Sequence, residues 1–487
     1  MNLLNHPSSI LGILHMIIVI GISVRVIMRR PNTGVALAWL FIVGAIPFIG
    51  AALYMMLGER RISKSRVRQI AARRADYEKI VQRGIDRGLT EIPWERHSPD
   101  AKEMDRLGTK MVGFPTVTGC TGELYSVTDE TLDALTRDID AAQHSVLMEF
   151  YIWNEGGKAD DVLEALIRAA GRGVSCRVLI DALGARPWWK GSQPARLREA
   201  GVQTLEALPV GLFRSFVDRT DLRVHRKIVV IDGEFAWTGS MNLVDPKYFK
   251  QDADVGEWVD AMVRLEGAVV APLALTMIGD WVLECDESIE EVIIDAGLEG
   301  VRPKGQGDAQ VVPSGPSETD DGLLQMLLAT INSAREELVL TTPYFVPDES
   351  LLRALRGAAA RGVAVHMIVP EKVDSLLTRY ASRSYYDELI EVGVQIYLYR
   401  KGLLHTKSIT ADRKITMFGT VNLDMRSLWI NYEVALFVYG PDFGAKIREL
   451  QGSYIDDSDL LDPEEWARRS EWQKFLESTF RLTGPLL

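Results

Sequence analysis

The chain has 487 residues, 47% of them hydrophobic, which is too long for one ordinary domain and apolar enough to bury sizeable cores. Its formal charge, 55 − 67 = −12, argues against a nucleic-acid partner, because neutralising phosphates takes a basic surface. Cys120, Cys176 and Cys285 are scattered without C-x-x-C spacing, which excludes a disulfide scaffold and a cysteine metal site and suits a reduced compartment.

Residues 10–24 are almost wholly apolar, broken only by His15 and Ser23, and residues 26–28 continue the run past Arg25. Residues 34–57 carry no charge. A membrane helix takes roughly 20 such residues. A signal peptide does not fit the first run, since no Lys or Arg precedes it and Arg25, Arg29 and Arg30 follow. Residues 1–60 therefore predict two transmembrane helices. A re-entrant hairpin is the alternative, because the first run is short and Pro47 breaks the second. Arg60, Arg61, Lys64, Arg66, Arg68, Arg73 and Arg74 come next and outnumber the loop arginines. The positive-inside rule then puts the body of the chain in the cytoplasm. Residues 61–108 read as a basic juxtamembrane linker, suited to anionic headgroups or to plain solvent.

From residue 109 the pattern alternates between strand and helix. Strands are expected at 145–153 and 174–180 around a helix at 160–170. The order returns with strands at 337–342 and 363–369 around a helix at 351–360. Ala169-Ala170-Gly171-Arg172-Gly173-Val174 matches Ala358-Ala359-Ala360-Arg361-Gly362-Val363, and Gly201-Val202-Gln203 matches Gly393-Val394-Gln395. A period of about 190 residues means paired domains rather than a solenoid. The halves are 109–284 and 309–456, joined by an acidic linker at 285–308. Residues 457–487 form a C-terminal amphipathic segment with Trp466, Trp472, Phe475 and Phe480, which could pack on the body or rest on a bilayer. The fold class is α/β: each half a mixed, largely parallel sheet flanked by helices, the two related by a pseudo-twofold axis.

Each half ends in the same chemistry. His225-x-Lys227-x4-Asp232 and His405-x-Lys407-x4-Asp412 are followed in register by Gly239-Ser240-Met241-Asn242 and Gly419-Thr420-Val421-Asn422. On a strand, residues two apart share a face, so each His projects with its Lys. Asp232-Gly233 is a hairpin dipeptide. Asp232 and Asp412 complete the catalytic motif, but as turn and support residues. The returning strands bring Ser240, Asn242, Thr420 and Asn422 level with the His/Lys pairs, where they would bind phosphate. Opposed, the two faces suit a phosphodiester: lysines and amides offset its charge, one neutral imidazole attacks phosphorus, and the other, protonated, gives its proton to the departing oxygen. Asp260 and Glu433 stand at equivalent positions and are the candidates to orient the imidazoles. No metal is expected, since two lysines repel a cation and supply its charge.

These residues resemble the phospholipase D superfamily, whose signature is this doubled motif. Arg29-Arg30-Pro31 before Ala38-Trp39-Leu40, Thr341-Thr342-Pro343-Tyr344-Phe345-Val346-Pro347, Asn422-Leu423-Asp424-Met425-Arg426-Ser427 and the terminal Pro485-Leu486-Leu487 resemble bacterial cardiolipin synthases. The resemblance covers essentially the whole chain. It implies two phospholipase D-like halves and transfer of a phosphatidyl group from one phosphatidylglycerol to a histidine, with glycerol released. A second phosphatidylglycerol then takes the group, giving cardiolipin. The superfamily analogy makes His225 the nucleophile and His405 the acid. No cofactor, no metal and no nucleic acid are implied. The partners are phosphatidylglycerol, cardiolipin and the bilayer, with a homo-oligomer left open. The implied location is the bacterial inner membrane, multi-pass, with the body facing the cytoplasm. Other readings are a hydrolytic phospholipase D, a transferase to another alcohol, a membrane-tethered phosphodiesterase or nuclease, and a silent scaffold.

Overall fold

The computed structural model describes residues 7–29, 33–58, 64–209, 221–316, 321–482 and 484. Arg30, Pro31, Arg60, Arg61 and the terminal Pro485-Leu486-Leu487, which the sequence singled out, lie outside them.

The chain divides into two units, residues 1–67 with 210–222, and residues 68–209 with 223–487. In the first, Pro7–Arg29 is one helix, and its stretch Ile10–Arg29 has the length and apolarity to cross a membrane. The second uncharged run is two helices, Thr33–Ala45 and Ile49–Leu57, because Pro47 cannot continue the ladder and Phe48 turns to φ 60°. Val26, Val43 and Tyr54 bury one another at the centre of this unit, while Met16, Ile17, Ile27, Met28 and Phe41 stay exposed.

The expected linker after residue 60 is largely helical. Lys64–Asp86 is a basic helix. Pro99–Val112 carries Ala101 and Met104 into the core of the second unit.

That unit is built on one 15-stranded sheet. From one edge its order is Gln203–Ala207, Ser175–Asp181, Ser145–Phe150, Ile228–Ile231, Phe235–Gly239, Met262–Gly267 and Val117–Tyr125. It continues with Gly307–Ser314, Glu433–Tyr439, Ile415–Gly419, Ser408–Ala411, Glu337–Thr341, Ala364–Pro370, Gln395–Tyr399 and the edge strand Ser458–Leu460. Strands from the two parts of the chain thus fill opposite sides and meet at Val117–Tyr125 against Gly307–Ser314, where a bulge falls between Thr118 and Cys120.

The sheet is mixed, but not largely parallel. Only Ser145–Phe150 with Ser175–Asp181, Ser175–Asp181 with Gln203–Ala207, Glu337–Thr341 with Ala364–Pro370, and Ala364–Pro370 with Gln395–Tyr399 run parallel. The remaining neighbours are antiparallel, because helical crossovers serve only the wings, whereas the central strands are joined by hairpins and returns. Ser145–Phe150 is buried on both faces: Leu147 enters one core, and Val146, Met148 and Phe150 enter the other. Helices Thr128–Ala141 and Lys158–Gly171 cover the second of these cores, and Val270–Glu284 covers the first. The acidic stretch 285–308 includes a helix, Ile289–Asp295, whose Val292 and Ile293 join the core.

Candidate active site

The two H-x-K triplets stand just before strands Ile228–Ile231 and Ser408–Ala411, not on them as the alternation suggested. The reason is hydrogen bonding. The His225 N–H donates to Tyr432 O at 2.8 Å, and the His405 N–H donates to Val259 O at 2.8 Å. The histidine of each triplet is therefore tied through its N–H to backbone of the other half. Tyr432 and Val259 each precede a carboxylate, Glu433 and Asp260.

Those carboxylates are crossed between the halves. His225 Nδ1 lies 2.8 Å from Glu433 Oε2, and His405 Nδ1 lies 2.7 Å from Asp260 Oδ1. An ionised carboxylate only accepts, so each Nδ1 carries the proton and each Nε2 keeps its lone pair. Burial pushes both imidazoles down to about 4, against the pull of their carboxylates, and the lysines push the same way. Burial works upward on Asp260, but the His405 ring, Lys407 and Ser240 outweigh it and hold the carboxyl at about 2. Glu433 is held low against burial by His225, Lys227 and Thr420. Neutral imidazole beside carboxylate is the resting state at neutral pH.

Lys227 and Lys407 are completely buried. Each ammonium donates to the carbonyl of its own histidine, His225 O at 2.7 Å and His405 O at 2.5 Å. Burial lowers Lys227 to about 8 and Lys407 to about 7. The two sets share one field: Lys407 acts on His225, Lys227 acts on His405, and Asp260 and Glu433 both act on each lysine.

The hydroxyls of Ser240 and Thr420, expected on phosphate, are already spent. Ser240 Oγ donates to Asp260 Oδ1 at 2.5 Å and accepts the Ala261 N–H at 3.0 Å. Thr420 Oγ1 donates to Glu433 Oε2 at 2.5 Å and accepts the Val434 N–H at 3.0 Å. A hydroxyl has one proton to give, so both hold the orienting carboxylates. Asn242 Oδ1 accepts the Ile152 N–H at 3.3 Å, and Asn422 Oδ1 is buried without a partner.

Asp232 and Asp412 sit at tight turns. Asp232 and Gly233 have φ of 54° and 66°, Asp412 and Arg413 of 52° and 56°, the left-handed pair that a type I′ hairpin requires. The Asp232 carboxylate accepts the N–H groups of Gln143, His144 and Ser145. Asp412 accepts those of Arg335, Glu336 and Glu337. Both bind the start of a neighbouring strand and neither touches the imidazoles.

Other groups at the site were not singled out as candidates. The Tyr151 ring lies 5.1 Å from His225, and the Trp258 ring 4.4 Å from His405. Arg223 and Asp181 form a buried pair at 3.2 Å, and Asp181 also accepts the Val224 N–H beside His225. Asp424 caps helix Met425–Trp429 through the Ser427 N–H at 2.7 Å, and burial raises it to about 6. Trp258 was within reach of the sequence, two residues before Asp260. Asp181 ends one buried strand and Tyr151 directly follows another, and that burial hides any chemical signature. Among the described residues no group of three or more His, Cys, Asp or Glu is placed to hold a metal.

A mixed sheet that brings two H-x-K-x4-D segments into one buried site is the build of the phospholipase D class. A family model described as "Cardiolipin synthase, PLD-like domain" matches residues 135–261 and 327–451. The chain is 42% identical to Cardiolipin synthase A of Erwinia tasmaniensis over 97% of this chain and 96% of that one. It is equally 42% identical to Cardiolipin synthase A of Yersinia pseudotuberculosis, over the same shares. In fold it is similar to the phosphatidylserine synthase of Haemophilus influenzae, with TM-score 0.58, 14% identity, and 79% of this chain and 100% of that one covered. The chain belongs to the cardiolipin synthase family, whose domains are phospholipase D-like.

Proposed function

We propose that this protein is a cardiolipin synthase that works through a phosphohistidine. The observation that carries the reading is the pair of imidazoles, each oriented through Nδ1 by the other half's carboxylate. His225 Nε2 attacks the phosphorus of phosphatidylglycerol while the P–O bond to glycerol breaks. The leaving oxygen takes a proton from His405 Nε2. A hydroxyl of a second phosphatidylglycerol then gives its proton to His405 and attacks phosphorus, and the P–N bond breaks. The products are cardiolipin and glycerol. The phosphodiester's negative charge raises the imidazoles, so His405 gains its proton when substrate binds. Lys227, Lys407, Asn242 and Asn422 offset the phosphoryl charge. Ser240 and Thr420 hold the carboxylates, and Asp232 and Asp412 brace the strands. The chain's own cations supply the charge that a metal would otherwise bring.

The halves 109–284 and 309–456 act as a pseudo-twofold pair. The opposed strand order and the crossed carboxylates support this. Residues 1–60 anchor the enzyme in the bacterial inner membrane. Helix Ile10–Arg29 is one span, and Thr33–Ala45 with Ile49–Leu57 is a kinked second or re-entrant one. The arginines after residue 60 favour a cytoplasmic body. Phosphatidylglycerol and cardiolipin are its lipid partners, the acidic net charge disfavours nucleic acid, and a homo-oligomer is compatible with this scheme.

The test is to give the purified protein in detergent phosphatidylglycerol alone and measure glycerol and cardiolipin. Equal amounts of the two are expected. Phosphatidic acid without cardiolipin would instead make it a hydrolase. His225→Ala and His405→Ala should each abolish turnover.

A further inference from the structure

Beside His405 lies a polar cluster that the duplicated motif does not explain. The Lys250 ammonium stands 5.4 Å from the centre of the Trp258 ring, and that ring lies 4.4 Å from His405. Lys250 Nζ also donates to Asp374 Oδ2 at 2.8 Å. Tyr344 OH donates to the other oxygen, Asp374 Oδ1, at 2.8 Å. The Asp374 side chain is 9% exposed and Lys250 44%, so the cluster spans from the buried site outward. His405 is among the charges that act on Asp374, and Asp424 and Tyr151 are among those that act on Tyr344. A second cross-loop pair, Lys372 with Asp254 at 3.2 Å, ties the same two loops together.

The cluster breaks the internal repeat. Asp374 comes four residues after strand Ala364–Pro370; four after the matching strand Ser175–Asp181 stands Ala185. Lys250 comes eight residues after Asn242; eight after Asn422 stands Ile430. The duplication copies the imidazoles but not this group, so only one side of the site has it. That asymmetry matches the reaction, in which one side must hold the diacylglycerol-bearing phosphoryl group and the other a glycerol moiety, which leaves free and enters as the headgroup of a second phosphatidylglycerol. By microscopic reversibility, the leaving glycerol and the entering glycerol hydroxyl occupy the same volume beside the general acid.

The cluster keeps hydrogen-bonding capacity for a polyol. The ammonium has two further N–H groups, and the carboxylate and the phenol oxygen have free lone pairs. A vicinal diol can donate to Asp374 and Tyr344 while accepting from Lys250. Resting on the cardiolipin synthase reading, we propose that Asp374, Tyr344 and Lys250 form the headgroup subsite that selects glycerol as the leaving and entering alcohol. A site built to bond hydroxyls rejects an alcohol that lacks them.

The test measures choice between alcohols at one shared intermediate. Full-length enzyme in detergent is charged with phosphatidyl-p-nitrophenol and offered equimolar glycerol and ethanol. The ratio of phosphatidylglycerol to phosphatidylethanol is read for wild type, Asp374→Asn and Tyr344→Phe. A merely structural defect lowers total turnover and leaves the ratio alone. The expected result is a strong wild-type preference for glycerol that falls by about tenfold or more in both variants. An unchanged ratio, or a wild type without preference, overturns the proposal. If wild type prefers glycerol and the variants lose it, yet phosphatidylglycerol alone gives no cardiolipin, the subsite stands and the synthase reading falls.

Discussion

The imidazoles are chemically useful because burial holds them neutral. Both stand near 4 against an ordinary 6.5, so in the free protein both rings, the proposed nucleophile His225 among them, are unprotonated throughout the physiological range. The lysines set the other limit, at about 7 and 8. For the free enzyme kcat/KM should therefore fall below about pH 4, as the nucleophile protonates, decline above that value because His405 must take up a proton as substrate binds, and drop more steeply above about pH 7 to 8, as the lysines lose charge; a pH profile at low substrate measures these limbs. The carboxylates act through the rings they orient. Glu433→Gln and Asp260→Asn should each lower kcat by about 10²- to 10⁴-fold with intact folding. Because Glu433 serves His225, its loss should slow formation of the phosphohistidine most directly, which rapid-quench detection of the intermediate can read. Glu149 makes a different prediction. It is completely buried, and burial, then the charge of Asp280, pushes its carboxyl well above the usual range. The folded chain keeps this proton while the unfolded chain releases it near 4.5, so the group costs stability increasingly as pH rises above that value. Glu149→Gln should raise the melting temperature, and by more at pH 8 than at pH 5.

At the scale of single elements, the doubled motif is a hairpin device. Asp232 and Asp412 each gather three backbone N–H groups from the residues that lead into a neighbouring strand. Asp232→Ala should cost about 1.5 to 3 kcal/mol of stability while changing kcat per folded molecule far less than His225→Ala; paired denaturation and active-site titration separate the two. The C-terminal helix Glu471–Arg481 has its polarity reversed. Its buried Glu477 pairs with Arg383 at 2.9 Å and Arg469 at 2.8 Å, and Phe480 stacks on Tyr380. Trp472 and Phe475, with Leu482 just beyond, face outward. The helix thus packs on the body and still offers aromatic side chains to a bilayer. Trp472→Ser with Phe475→Ser should raise the apparent KM for phosphatidylglycerol in mixed micelles as lipid is diluted, with kcat at saturation little changed.

At the scale of the whole molecule, one chain holds a complete site, since each half supplies the carboxylate for the other half's histidine. Co-expressing His225→Ala and His405→Ala chains should restore no activity; recovery would mean that sites form between chains. The imidazoles also tie stability to pH. Unfolded histidines protonate below about 6.5, and the folded ones refuse the proton until about 4, so stability is lost as pH falls through that interval. The α/β alternation was legible because strand and helix periods differ along the chain: the helix expected at 351–360 is Glu349–Ala360, and the strand expected at 363–369 is Ala364–Pro370. The largely parallel sheet was a misreading, because the alternation does not say which strands become neighbours.

Sequence alone determined which side chains make up the candidate site. Two His/Lys pairs at fixed spacing, and two carboxylates at matching positions, are one-dimensional facts that duplication writes twice. Tertiary structure decided the pairing. Asp260 reaches His405 across 145 positions and Glu433 reaches His225 across 208, and Ser240 and Thr420 spend their protons on those carboxylates. Which carboxylate meets which imidazole depends on how the halves face one another, and burial, not residue type, sets the charge that each group carries there.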